Sequence, residues 1–100
     1  MQEAIGHFEQ AVRIQPDYVK AQCNWGNALL RLGKVQEAIG HYEQAVRTQP
    51  DYANAHYNLG VALETLGHTP EAIQHYEQAL RIKPDFVQAQ NALARARAVP

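Results

Sequence analysis

Little in this sequence belongs to the residue types that carry specialised chemistry. Cys23 is the one cysteine in 100 residues, so no disulfide can staple the chain to itself. A lone cysteine fits a reducing compartment, and a cytoplasmic location is expected. Neither sign of charge is in excess, since nine Lys and Arg against ten Asp and Glu leave a net charge of −1. Without a clustered positive face, nucleic acid is not an expected partner. Apolar runs are only a few residues long, so nothing can span a bilayer and no membrane partner is expected. The opening residues, Met-Gln-Glu-Ala-Ile-Gly-His, lack the basic start and apolar stretch of a secretion signal. The alternation expected of strands is missing too. What is present is a globular composition, 46% hydrophobic, at the length of one small soluble domain.

That composition is organised by repetition. Residues 2–18 read QEAIGHFEQAVRIQPDY, residues 36–52 QEAIGHYEQAVRTQPDY, and residues 70–86 PEAIQHYEQALRIKPDF, each 34 residues after the last. The intervening segments repeat as well: VKAQCNWGNALLRLGKV over 19–35 and ANAHYNLGVALETLGHT over 53–69. One period covers the chain without a linker, beginning and ending in half-repeats, so a slice of a longer array is expected.

Each half-repeat reads as a helix. Ala55, Leu59, Ala62, Leu63 and Leu66 recur at three- and four-residue steps, as do Ala72, Ile73, Tyr76, Ala79 and Leu80. Pro16, Pro50 and Pro84 follow apolar-periodic runs, where a helix cannot easily continue. Asp17, Asp51 and Asp85 come next as N-cap candidates. Gly33 and Gly67 suit left-handed helix ends, and Pro70 fits a first turn behind a Thr69 cap. Six helices are predicted, over about 2–14, 18–32, 36–48, 52–66, 70–82 and 86–98. Short connections make them antiparallel neighbours. Gly26 and Gly60 stand mid-helix, where glycine costs about 1 kcal/mol against alanine. A cost repeated at the period implies a close helix approach, with Trp25, Leu29, Tyr42, Leu59, Leu63 and Tyr76 filling the remaining volume.

The pattern resembles the tetratricopeptide repeat family. Residues 53–86 supply Leu59-Gly60, Gly67, Ala72, Tyr76, Ala79 and Pro84; residues 19–52 supply Trp25-Gly26, Gly33, Ala38, Tyr42, Ala45 and Pro50. The leading half-repeat gives Ala4, Phe8, Ala11 and Pro16, and the trailing one Leu93-Ala94, with alanine in place of glycine. The resemblance implies an all-α solenoid, a right-handed superhelix in a split-repeat frame. Residues 1–18 would be a second half-repeat, 19–52 and 53–86 full repeats, and 87–100 the first helix of a further repeat or a cap.

No enzyme is expected. His7, His41 and His75 recur at the period, which separates them by about 10–20 Å for helices packed ~8–10 Å apart. A zinc ligand lies at about 2 Å. His56 and His68 are isolated in sequence, without an HExxH pattern. The glycines form no phosphate loop and Cys23 has no adjacent base, so no metal, cofactor or catalytic residue is expected. Glu9–Arg13, Glu43–Arg47 and Glu77–Arg81 stand four apart, acid first, and are expected to pair on solvated helix faces.

Binding is the expectation instead. The resemblance places Lys20, Cys23, Asn24, Asn27, Leu30 and Arg31 on or near a concave surface. Asn54, Tyr57, Asn58, Val61, Glu64 and Thr65 correspond to them, and Gln88, Asn91 and Arg95 follow. Asn24 and Asn58 recur at the period, and an asparagine amide offers a donor and an acceptor together. This resembles the asparagine ladder of the peptide-binding superhelix in protein O-GlcNAc transferases. Asn91 lies one residue out of register, because Ala92 holds the equivalent place. The peptide-binding candidates are Lys20, Asn24, Asn27, Arg31, Asn54, Tyr57, Asn58, Glu64, Gln88, Asn91 and Arg95, with the charged members tuning selectivity. The basic residues of the family's chaperone-gripping carboxylate clamp are missing at Cys23, Gln88 and Ala92, so that clamp is not expected.

The expected function is a protein-interaction module that binds a peptide. One alternative is self-assembly as a homo-oligomer through uncapped ends, with Ile5, Phe8 and Val12 sticky at one end and Leu93 and Ala96 at the other. Another is the repeat arm of a larger enzyme such as a glycosyltransferase.

Overall fold

A computed structural model describes residues 19–98. The expected helix over 2–14, with Glu9–Arg13, Asp17 and the apolar residues Ile5, Phe8 and Val12, lies outside them. The chain divides into two compact units, residues 1–50 and 51–100. In the first, α1 (Val19–Arg31) and α2 (Val35–Thr48) form a hairpin. In the second, α3 (Ala53–Thr65) and α4 (Thr69–Ile82) form another, and α5 (Val87–Ala98) packs on α4 and touches α3. No strand occurs among the described residues.

The helices stop where glycine allows it. Gly33 and Gly67 have φ of +78° and +84°, a region that costs a side-chain-bearing residue strain. After α1 the Lys34 N–H donates to the Leu29 carbonyl at 2.9 Å and the Gly33 N–H to Leu30 at 3.0 Å. His68 and Gly67 donate to Leu63 and Glu64, both at 2.9 Å, after α3. This crossed pair of bonds closes off the free carbonyls of a helix end.

The helix starts depart from expectation. Tyr52, not Asp51, is the N-cap residue of α3, and no side-chain cap bond forms. Asp85 lies two residues before Val87, the first residue of α5. Thr69 is the first residue of α4 rather than its cap, with His68 in the cap position and Pro70 in the first turn. The chain turns for one residue longer than an Asp cap would require; Phe86 after Asp85 is buried, and Tyr52 after Asp51 is half-buried.

Each hairpin core is built around one tyrosine. Tyr42 and Tyr76 are fully buried. A Cβ placed on Gly26 would stand 2.6 Å from the Tyr42 ring, and one on Gly60 would stand 2.5 Å from Tyr76. The mid-helix glycines are therefore the seats of these rings. Ala38, Ala45, Ala72 and Ala79 on the tyrosine-bearing helices are buried completely. In the second unit, Ala53, Ala79, Phe86 and Ala89 form a further cluster with Tyr57 and Leu80 against it, fastening α5 to the hairpin.

Candidate functional site

Along α1 the candidates Lys20, Asn24, Asn27 and Arg31 fall at three- and four-residue steps, one helical stripe. Lys20, Asn24 and Arg31 are exposed, Asn27 is half-buried, and Cys23 is buried. The Asn27 side-chain carbonyl accepts the Tyr42 hydroxyl, which holds Asn27 in the hairpin and leaves its NH2 as the group able to meet a ligand. Burial first, and Cys23 second, push the Tyr42 hydroxyl above its ordinary pKa, so it stays a donor.

In the second unit Asn54 is exposed and Asn58 half-buried, four residues apart on α3. Asn54 borders an open pocket of about 380 Å³, which Tyr52 and Lys83 also line. Tyr57 belongs to the core more than to the surface, with its ring centred 5.2 Å from Phe86 and 6.0 Å from Tyr76. The Thr65 hydroxyl donates to the Val61 carbonyl of its own helix at 2.8 Å. On α5, Gln88, Asn91 and Arg95 are exposed at three- and four-residue steps. Ala92, in register with Asn24 and Asn58, is buried at 1% exposure, so the amide on α5 comes from Asn91 beside it.

Glu64 and Arg95 do not offer independent charges. Arg95 Nη2 donates to Glu64 Oε1 at 2.8 Å, and the same oxygen accepts the Tyr76 hydroxyl at 2.7 Å. The Arg95 hydrogen bond holds the Glu64 carboxyl below the usual carboxylate range, against partial burial, with Tyr76 assisting. Reciprocally, Glu64 raises the Arg95 pKa. This bridge ties α3 to α5 near their C-terminal ends.

The expected four-residue ion pairs give way to other partners. Arg47 donates to Gln44 at 2.9 Å and Arg81 to Gln78 at 2.6 Å. Glu77 pairs instead with Arg97 at 2.6 Å, a second tie between α4 and α5. In each case a neutral amide three residues back, or a guanidinium on the next helix, lies closer than the expected ion partner.

The histidines also correct the sequence reading. His56, isolated in sequence and expected to be partly exposed, is buried, with its Nδ1 3.2 Å from that of His75. In the first unit the same place is taken by Gln22, whose Oε1 is 2.9 Å from His41 Nδ1. Trp25 lies over the His41 ring at 3.8 Å. Burial lowers the pKa of His41 and of His75, opposed by Glu37 and Glu71 respectively. His68 reaches Glu71 at 3.2 Å on the surface.

No cluster of three potential metal ligands occurs among the described residues. No helix there is long and apolar enough to cross a membrane. Leu93 and Ala96, expected to be sticky, are buried, whereas Val87 is exposed at 57%. What the surface offers is side-chain amides on α1, α3 and α5, groups that can donate and accept at once.

The comparisons agree with this architecture. A tetratricopeptide repeat family model matches residues 23–86. The first such domain of Spaghetti (RPAP3), bound to the HSP90 peptide SRMEEVD, is 27% identical with a TM-score of 0.93, over 97% of this chain and 77% of that one. The second domain of human RPAP3, in complex with the HSP70 peptide SGPTIEEVD, is 26% identical with a TM-score of 0.87, over 93% and 78%. YrrB, described as having an unusual peptide-binding site, is 25% identical with a TM-score of 0.84, over 91% of this chain and 47% of its own. No curated protein matches the chain. With its glycine-seated tyrosines, its helical hairpins and a family match over most of its length, the chain belongs to the tetratricopeptide repeat family.

Proposed function

We propose that the chain is a non-enzymatic module that binds an extended peptide segment of a protein partner, gripping the peptide main chain through side-chain amides. The observation that carries this reading is the set of side-chain amides on α3 and α5, Asn54, Asn58, Gln88 and Asn91, on two helices tied together by the Glu64–Arg95 bridge. Asn24 and Asn27 supply the same chemistry on α1. Similarity to domains solved with bound peptides supports the reading.

The charge arrangement selects among peptides. Helix α3 has no Lys or Arg, and both arginines of α5 are paired, Arg95 with Glu64 and Arg97 with Glu77. A ligand's terminal carboxylate therefore meets no unpaired guanidinium on α3 or α5, whereas Lys20 and Arg31 stand exposed on α1. On α3 and α5 the peptide is held by its backbone rather than by an acidic end.

A fluorescence-anisotropy screen of uncharged, capped peptides tests this. A hydrogen bond contributes about 0.5–1.5 kcal/mol net, so Asn58→Ala with Asn91→Ala is expected to weaken binding roughly tenfold or more. Unchanged affinity in the double variant would remove the amides from the mechanism.

A further inference from the structure

The His56–His75 contact has no part in the binding surface, yet it joins α3 to α4 in the interior of the second unit. Its geometry is that of a shared proton. The nitrogens are 3.2 Å apart and the ring centroids 5.5 Å, with planes inclined at 26°. A centroid separation exceeding the nitrogen separation by about one ring width means that the rings meet edge to edge, the two Nδ1 atoms pointing at each other. Such a contact needs one ring protonated at Nδ1, as donor, and the other bare there, as acceptor. Two imidazoles holding one metal ion would instead direct both lone pairs to a point off their common line. The arrangement suits a proton and not a metal.

We infer that the His56–His75 contact is a proton-sensitive joint: acidification through the imidazole range loosens α3 from α4, while in the α1–α2 hairpin the Gln22–His41 bond keeps its acceptor. The joint stands independently of the peptide reading. Once both Nδ1 atoms carry protons, each is a donor, the bond has no acceptor, and two positive rings face each other at 3.2 Å. A glutamine cannot fail in this way. The Gln22 carbonyl accepts from His41 Nδ1–H whether that ring is neutral or charged.

The neighbouring charges leave this logic intact. At His75, burial is the larger influence, His56 acts in the same direction, and Glu71 on α4 opposes both. Glu71 is itself engaged by His68. Glu64 of α3 and Glu77 of α4 are held by Arg95 and Arg97 of α5. With the folded-state pKa of His75 depressed below 6.5, the unfolded chain binds more protons as the pH falls past that value. Stability is therefore full above the ordinary imidazole pKa and is lost on acidification towards the folded one.

Amide hydrogen exchange on the full chain, at about pH 7.5 and about pH 5, reads both hairpins at once across the imidazole range. On acidification, protection over residues 53–82 is expected to fall further than over residues 19–48, where burial of His41 also disfavours its protonated ring, and His56→Gln should remove the extra loss. The substitution copies a side chain already accommodated at position 22. Equal loss in both hairpins, or a His56→Gln chain that responds like the parent, would overturn the inference. Should the variant fold poorly, an NMR titration of the parent decides: His75 titrating below His41 supports the joint, and the two titrating together sinks it.

Discussion

In the α1–α2 hairpin the Tyr42 hydroxyl ends on the side-chain carbonyl of Asn27; in α3–α4 the Tyr76 hydroxyl ends on the Glu64 carboxylate. One period after Asn27 stands Val61, which cannot accept, and the bond moves one turn along to Glu64. The two hairpins share an apolar seat, glycine under tyrosine, and differ in every polar fastening around it. Gln22–His41 becomes His56–His75, and the amide acceptor becomes an anion that also holds Arg95. Apolar fit tolerates tenths of an ångström, whereas a hydroxyl needs only some acceptor within reach. The repeat keeps the first and varies the second.

The largest effects should therefore be alike in the two hairpins. Removing a buried aromatic ring costs about 3–5 kcal/mol, so Tyr42→Ala and Tyr76→Ala are expected to lower the urea midpoint by similar, large amounts. A clear inequality would show that the seats are not equivalent. Adding a methyl beneath the ring overpacks the core, and Gly26→Ala and Gly60→Ala should each cost about 1–3 kcal/mol in the same measurement. Both added carbons would fall well inside contact distance of a tyrosine ring.

Smaller substitutions should separate the hairpins. Tyr42→Phe removes the donor from half-buried Asn27 and is expected to cost about 0.5–1.5 kcal/mol. Tyr76→Phe leaves Glu64 still bonded to Arg95 and should cost less. The opposite order would mean that Glu64 depends on the tyrosine rather than on the arginine. Because Glu64 titrates below its ordinary value of 4.5, its contribution is present above that pH and is lost as the pH falls through the depressed one. Glu64→Gln should therefore flatten the acid limb of an unfolding-versus-pH curve. The smallest change is expected from Arg97→Ala, whose surface pair with Glu77 is worth about 0–1 kcal/mol by double-mutant cycle.

Much of this was legible in the sequence because it lies within one period. The 34-residue step located the described helices to within about a residue and marked Gly26 and Gly60 as close approaches. Contacts between non-equivalent positions were harder to read. His56 and His75 are 19 residues apart, the spacing that also joins Gln22 to His41, yet one pair is polar–aromatic and the other is two histidines. No single-residue rule connects them. Arg95 meets Glu64 at a separation of 31, one period less a turn, so two individually ordinary charges cancel. Tyr57, expected on or near the ligand-facing surface, is partly buried and packs against Phe86, a contact the period does not reveal. The aspartates did not act as caps, since α3 and α5 each start one residue later than an aspartate cap would set, a shift that residue types alone do not show.

The glycine seats also govern motion. A tyrosine hydroxyl lies on the axis about which its ring turns, so the bonds from Tyr42 to Asn27 and from Tyr76 to Glu64 survive a half-turn of the ring. A Cβ added to either glycine would stand within 2.6 Å of the ring, so a half-turn of the ring is expected to require the two helices to move apart. Each ring reversal would then count one opening of its own hairpin, and the two tyrosines would serve as separate clocks for how often each pair of helices breathes.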